Sequence, residues 1–192
     1  KEYPVTDKWY NSSSPAFSTD GKYLIFASAR DFNPTYGSLE WNHVYNNMYG
    51  VYLALLSKDT PSPFMEKDAE VAVAKEETTK KEAGKKDEAK KEEVATPTVK
   101  IDFDGITDRI IKLPVNPSYY RNFYSDGNKV YYGSRGGTKV FDLKKQKEEV
   151  VADGASMGVE PGSKKAVFFK NDELYVTDIP SGKADLGDPV NL

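Results

Sequence analysis

Ser156 is a residue whose type and sequence spacing could support catalysis. The segment GASMG, residues Gly154 to Gly158, has the G-x-S-x-G spacing at which some hydrolases present a nucleophilic serine. That role requires a strand before the serine, a helix after it and a histidine C-terminal to it. Residues after Ser156 lack helical periodicity, and the single histidine, His43, precedes the serine. We therefore interpret GASMG as a glycine-rich crossover and predict no catalytic residue.

His43 lies in an aromatic segment, HVYNNMYG, and could act as a base or as a metal ligand. Transition-metal sites need several His or Cys ligands, and this sequence has one His and no Cys. We expect His43 to be a hydrogen-bonded loop residue, with contact to a substrate as the alternative. We also expect no metal and no other cofactor.

Three carboxylates surround Gly105 in the segment DFDGITD, from Asp102 to Asp108. Oxygen-rich loops of this kind can bind calcium, but the terminal Glu of an EF-hand loop is missing. We therefore predict a hairpin turn here, and a calcium site is the alternative.

Arg30, Arg121 and Arg135 each stand directly before or after a predicted strand. Side chains in such positions could line a central channel and bind peptide carboxylates through bidentate hydrogen bonds. They could equally cap the ends of strands. Together with His43, these arginines are our candidate substrate-binding residues.

Three related turn segments show which elements must position these side chains. Asp20-Gly21, Asp126-Gly127 and Pro161-Gly162 each separate two short stretches of alternating apolar residues. Alternation predicts strands with one buried face, and Asp-Gly favours a tight hairpin. In the first copy we expect Phe17 and Phe26 to be buried, so that truncating either costs roughly 3–5 kcal/mol.

Each hairpin is followed by one or two further strand candidates. They are GVYLALL after the first, TKVFDLKK and KEEVVAD after the second, and DELYVTDI after the third, with TVKIDFDGITDRIIKLP as a displaced fourth strand of the first. Antiparallel units of three or four strands, repeated about every 40 residues, are typical of β-propeller blades. We predict an all-β fold of about three antiparallel blades, which is a partial propeller.

Charge is concentrated in one tract that interrupts the first repeat. The tract KEETTKKEAGKKDEAKKEE is rich in Lys and Glu and has no aromatic residue, so we expect a mobile, disordered loop. A solvated linker is the preferred interpretation and a binding tail is the alternative. The net charge of −3 provides no global basic field for nucleic acid, and no apolar run is long enough to span a membrane.

Several segments are more specific than a generic propeller. FSTDGKYLIFAS resembles the repeat of TolB-type and tricorn-type propellers. SARDFNPTYGSLEWNHVY, LLSKDTPSPF, KIDFDGITDRIIKLPV and YYRNFYSDGNKVYY together resemble the propeller region of tricorn-like serine peptidases. This resemblance extends from Ser14 to about Asp178.

The resemblance implies a large serine peptidase whose propellers do not perform the chemistry. We therefore expect a non-catalytic segment that scaffolds the enzyme or controls peptide access, with peptides or downstream PDZ and peptidase domains as partners. A free-standing TolB-type binding module is the alternative. Open blade edges also suggest self-association. The sequence begins at Lys1 rather than Met, so a signal could have preceded it. Because bacterial members of this family are often exported and archaeal tricorn acts inside the cell, the resemblance implies a periplasmic or secreted location, with the cytoplasm as the alternative.

These observations give a predicted domain plan. It comprises a first blade (1–65), a charged insertion (66–96), outer strands that close the first blade (97–114), a second blade (115–153) and a third blade (154–192).

Overall fold

A computed structural model describes residues 1–38, 42–65, 99–160 and 162–191 of the chain. Strands dominate these ranges, whose one helix is the short 3₁₀ helix Ile106–Arg109, so the all-β prediction is confirmed. The predicted charged insertion, residues 66–96, lies outside the described residues. Within the described ranges, no helix is both long and apolar enough to cross a membrane.

The strands follow one another in three groups that match the three predicted repeats. In chain order they are β1 (Ser12–Phe17), β2 (Tyr23–Ser28), β3 (Pro34–Tyr36), β4 (His43–Tyr45), β5 (Gly50–Leu55), β6 (Ile110–Lys112), β7 (Arg121–Ser125), β8 (Lys129–Ser134), β9 (Gly137–Asp142), β10 (Lys147–Asp153), β11 (Ser156–Val159), β12 (Lys165–Lys170) and β13 (Glu173–Asp178). Every strand predicted directly after a hairpin is present. The predicted limits of the blades stay a prediction.

Antiparallel pairing joins these strands into three larger sheets. The spatial orders are β1-β2-β5-β6, then β7-β8-β9-β10, then β11-β12-β13, while β3 and β4 form a separate two-stranded hairpin. In the third sheet the chain returns to the outer edge, where the amide of Val190 donates to the carbonyl of Leu174 over 2.7 Å. The sheets are therefore consecutive blades of a partial propeller.

The first and second sheets pack face to face. Because side chains alternate along a strand, Tyr23, Ile25 and Ala27 of β2 share one face of the first sheet. There they belong to one buried cluster with Val130 and Tyr132 of β8. The second sheet thus covers the first through a continuous apolar layer.

The opposite face of the second sheet packs on the third sheet. Tyr131 and Val140 lie on this face and are buried together with Met157, Ala166 and Phe168. The second sheet is consequently buried on both faces. Its inner strand, β7, contacts the inner strands β1 and β11 of the neighbouring sheets, which places all three on one side of the stack.

Phe17 does not belong to the buried core, contrary to the prediction from the sequence. Phe26 is buried, but Phe17 is 59% exposed. Phe17 pairs with Leu24 across β1 and β2, so both side chains lie on the face of the first sheet that points away from the second sheet. The repeated turn motif identified strand β1 correctly. The Phe17 side chain, however, lies where no other part of the described chain covers this strand.

The displaced fourth strand of the first sheet is shorter than predicted. Only Ile110–Lys112 pairs with β5, and the preceding residues form the 3₁₀ helix rather than the predicted hairpin turn. Gly105 has a φ of 67°, and the Arg109 guanidinium donates to the backbone carbonyls of Asp102 and Asp104. These contacts fold the segment back on itself, so it cannot extend as a strand.

Candidate functional site

The arginines predicted to bind substrate lie at one end of the sheets. We call the end at which β1, β7 and β11 begin the upper rim, and the opposite end the lower rim. Arg121 is the first residue of β7, Arg135 directly follows β8, and Arg30 stands two residues beyond the end of β2. All three are therefore on the upper rim.

Arg121 and Arg135 line the same depression, on the upper rim where the second sheet meets the third. Its volume is about 470 Å³, and its walls include Arg121, Arg135, Lys170, Asp172 and Ser156. We call it the arginine depression. The sheets are joined at this level because the Thr138 hydroxyl donates to the Ala155 carbonyl over 2.8 Å.

The pairing of β7 with β8 positions Arg121 at the arginine depression. Arg121 pairs with Gly133 of β8, and a β-bulge follows at Asn122, which has a φ of 53°. A Cβ atom at Gly133 would lie 3.3 Å from the Arg121 Cγ. The Arg121 side chain therefore passes over Gly133 at close range.

Arg30 lies in a different environment on the first sheet. Its guanidinium carbon is 5.6 Å from the ring centre of Tyr10 and 5.1 Å from that of Tyr52, which is cation–π geometry. Its Nε also donates to the Ser28 hydroxyl over 3.2 Å. Burial, followed by the negative charge of Asp31, raises the pKa of Tyr52, so this ring stays neutral beneath the arginine.

His43 begins β4 in the exposed two-stranded hairpin that projects between β2 and β5. Its ring centre is 5.1 Å from that of Tyr36 on the paired strand β3. Among the described residues, His43 lines none of the cavities that contain Ser156. The structure thus does not bring the histidine and the serine together.

Ser156 is the first residue of β11, and a strand rather than a helix follows it. This is the crossover predicted from the sequence and lacks the strand–turn–helix context of a nucleophilic serine. Ser156 nevertheless lines the arginine depression, where its hydroxyl is a neutral hydrogen-bonding group.

Two carboxylates of the Asp102–Asp108 segment, those of Asp102 and Asp104, accept hydrogen bonds from protein donors. Asp102 accepts from the Lys58 amide at 2.8 Å and the Ser57 hydroxyl at 3.0 Å, and Asp104 pairs with the Lys58 ammonium at 2.7 Å. The Lys58 amide is the first cause that holds the pKa of Asp102 below its usual value. In the ranges that the structure describes, no group of three or more His, Cys, Asp or Glu residues could hold a metal ion.

Sequence reasoning missed an aromatic surface on the upper rim. Trp9 is 88% exposed and Phe32 is 75% exposed, and both line a depression of about 490 Å³ together with Tyr10, Arg30 and Met48. The signal was present in WYN and DFNPTY, where aromatic residues stand outside the alternating pattern of the predicted strands.

An ion pair beside this surface was also missed. Asp31 accepts from the Lys112 ammonium through Oδ1, while Asp31 Oδ2 is buried without a partner among the described residues. The pair joins the end of β2 to β6. Because Asp31 and Lys112 are far apart in the sequence, no local pattern indicated that they would meet.

Comparison with known proteins identifies the family. The family model described as the Tricorn protease second beta propeller domain matches residues 1–180. The chain belongs to this tricorn propeller family. It is similar to the putative Tricorn-like protease C-terminal subunit of Sulfurisphaera tokodaii, with 30% identity over 95% of this chain and 20% of the relative. Tricorn protease homolog 1 of Streptomyces coelicolor is 27% identical over 93% of this chain and 18% of the relative.

The fold agrees with this assignment. The crystal structure of the tricorn protease is similar to the chain with a TM-score of 0.66 and 16% identity, over 92% of this chain and 17% of that one. The chain thus spans about a fifth of the length of the curated relatives that it matches. The resemblance to a tricorn-like propeller region, stated from the sequence, is confirmed.

Proposed function

We propose that this tricorn-family chain is a non-catalytic segment of a tricorn-like serine peptidase, in which it scaffolds the enzyme and contacts peptides on their way to a separate active site. The observation that carries this proposal is the placement of Arg30, Arg121 and Arg135 on one rim, beside the inner strands. Cationic and aromatic groups at one end of a blade stack suit peptide contact without supplying a nucleophile.

The separation of Ser156 from His43 supports a non-catalytic role. A serine nucleophile requires a base within hydrogen-bonding reach. Ser156 begins β11 of the third sheet, whereas His43 lies on the hairpin beside the first sheet. The partners that we propose are peptides and the PDZ and peptidase domains of the same parent protein.

A turnover assay tests the non-catalytic part. The purified chain is incubated with unstructured fluorogenic peptides, and the Ser156→Ala and His43→Ala variants are assayed beside it. We expect no turnover above that of the buffer. Cleavage that disappears in Ser156→Ala would refute the proposal.

Photo-crosslinking tests the peptide contact. Peptides that carry a benzophenone group are irradiated with the chain, and the modified residues are mapped by mass spectrometry. We expect modification near Arg30, Arg121 and Arg135 of the upper rim. Labelling confined to the lower rim, or none above that of a scrambled control protein, would argue against peptide contact.

The aromatic surface favours a second candidate, the free-standing binding module. Trp9 and Phe32 offer a large exposed apolar area, and such surfaces commonly bind other proteins. Immunoblotting of the source cells separates the candidates. A band several times larger than this chain supports the peptidase segment, whereas a band of the size of the chain supports the module.

A further inference from the structure

The arginine depression contains more positive charge than the protein neutralises. Arg121, Arg135 and Lys170 line it, and Asp172 is the single carboxylate among its lining residues. Among the described residues, none of the three cations forms an ion pair. Other lysines of the same sheets do, since Lys139 and Lys165 each pair with a carboxylate at 2.8 Å.

The walls between these cations are suited to close approach by a ligand. The turn from Gly133 to Gly137 forms one wall, and a Cβ atom at Gly136 would meet nothing within 4 Å. Ser156 adds a hydroxyl that can donate a hydrogen bond. Two guanidinium groups and a hydroxyl are donors that match the oxygens of a carboxylate.

A groove lined mainly by apolar side chains continues from the depression. This groove has a volume of about 450 Å³ and shares Ser156 and Phe169 with the arginine depression. Its other walls include Phe123, Val159 and Val167. A ligand that presents a carboxylate next to an apolar side chain would fill both spaces.

We propose that the arginine depression binds a carboxylate of a peptide, with an adjacent apolar side chain of the peptide in the neighbouring groove. The carboxylate is supplied by the C-terminus or by an internal Asp or Glu. This inference rests on the proposed peptide-contact function and names the chemical feature that the surface recognises. Nucleic acid fits poorly, because three cations are few for a phosphate backbone and the chain has a net charge of −3.

Matched peptides test the proposal on the whole chain. Ala-Leu-Phe with an uncharged BODIPY label at its N-terminus is prepared as the free acid and as the C-terminal amide, and Ala-Leu-Glu-Phe with the same label is prepared as the amide. Binding is measured by fluorescence anisotropy at about 50 mM and about 500 mM NaCl. We expect the free acid to bind about tenfold more tightly than its amide at low salt, with a smaller ratio at high salt. Tight binding of the Glu-containing amide would identify the side-chain carboxylate as a second source.

Charge-matched variants locate the site. Arg121→Gln with Arg135→Gln removes two charges from the depression, whereas Lys144→Gln with Lys145→Gln removes two from the β9–β10 turn of the lower rim. Circular dichroism and thermal melting verify the fold of both. We expect only the arginine variant to lose the preference for the free acid.

The outcomes separate this inference from the proposed function. Equal binding of acid and amide, unchanged by the arginine variant, would overturn the carboxylate site and leave peptide contact intact. Failure of every peptide to bind the chain would overturn both. Loss of the acid preference in the lysine variant alone would also overturn the placement of the site.

Discussion

Gly127 shows how closely two turns of neighbouring sheets approach. Its φ is 90°, and an added Cβ atom would lie 2.2 Å from Asp20 Oδ2 in the β1–β2 turn. Asp20 is itself fixed, because it accepts from the Ser18 hydroxyl at 2.6 Å and pairs with the Lys22 ammonium at 3.1 Å. A side chain at position 127 would therefore displace Asp20 from these contacts.

Gly127→Ala should consequently destabilise the chain by at least about 2 kcal/mol, from backbone strain and displacement of Asp20. Urea denaturation followed by circular dichroism measures the loss. Gly158→Ala is the matched control, since Gly158 has no positive φ and open space at Cβ. A comparable loss in both variants would contradict the steric argument.

Asp102 makes stability depend on pH through its hydrogen bonds to Ser57 and Lys58. Its folded-state pKa is lowered, so its carboxylate stabilises the fold above the unfolded value of about 3.9, and this contribution is lost as the pH falls through the folded pKa. We expect Asp102→Asn to be less stable than the wild type at about pH 7, and the difference to shrink towards about pH 3.

Urea denaturation at several pH values measures this difference. Asp108→Asn is the control, because Asp108 is an exposed carboxylate of the same loop. A constant difference between the wild type and Asp102→Asn across the pH range would show that the charge of Asp102 is not the cause.

At the scale of the element, strand β12 places two consecutive phenylalanines on opposite faces of the third sheet. Phe168 is fully buried against the second sheet, whereas Phe169 is 47% exposed on the opposite face. Phe168→Ala should therefore cost about 3–5 kcal/mol and Phe169→Ala less than about 1 kcal/mol. Chemical denaturation of the two variants compares them directly, and equal losses would mean that the face is assigned wrongly.

The strands themselves were predictable because their signals are local. Alternating apolar residues on either side of Asp126-Gly127 identified β7 and β8, and TKVFDLKK and KEEVVAD identified β9 and β10. Phe17 was placed wrongly because its face of the first sheet is covered only locally. Phe26 is buried there in a cluster with Tyr52 and Val5, and that cluster does not include Phe17. The β3–β4 hairpin was missed because its strands have three residues each and no buried face.

The candidate site was predictable only in part, since it depends on contacts between sheets. The sequence placed Arg121 and Arg135 at strand ends, but only the pairing of β7 with β8 and the packing on β11 bring them to one depression. Lys170 was missed although it also stands at the end of a strand, as the last residue of β12. Arg30 was grouped with these residues but belongs to the aromatic surface.

At the scale of the whole molecule, the C-terminal segment ties the second and third sheets together. The Tyr131 hydroxyl donates to the Pro180 carbonyl and the Ala184 amide donates to the Val151 carbonyl, each over 2.8 Å. Leu186 packs on the apolar layer between these sheets. The segment thus closes the outer end of that layer.

Truncation after Asp178 should lower the free energy of unfolding by about 2–4 kcal/mol, because apolar surface is exposed and backbone hydrogen bonds are lost. Thermal melting compares the truncated and complete chains. Tyr131→Phe is the control that removes a single hydrogen bond, with an expected loss of about 1 kcal/mol. A truncated chain as stable as the complete one would show that the segment adds no packing energy.

Burial of the second sheet on both faces sets the order in which backbone amides exchange with deuterium. Val130, Tyr131 and Tyr132 are successive residues of β8 that point to alternate faces, and all three are buried. In β12, exposed Val167 and Phe169 alternate with buried Ala166 and Phe168. The amides of β8 should therefore exchange only when the whole chain unfolds, while those of β12 and β13 exchange earlier, when the third sheet opens alone.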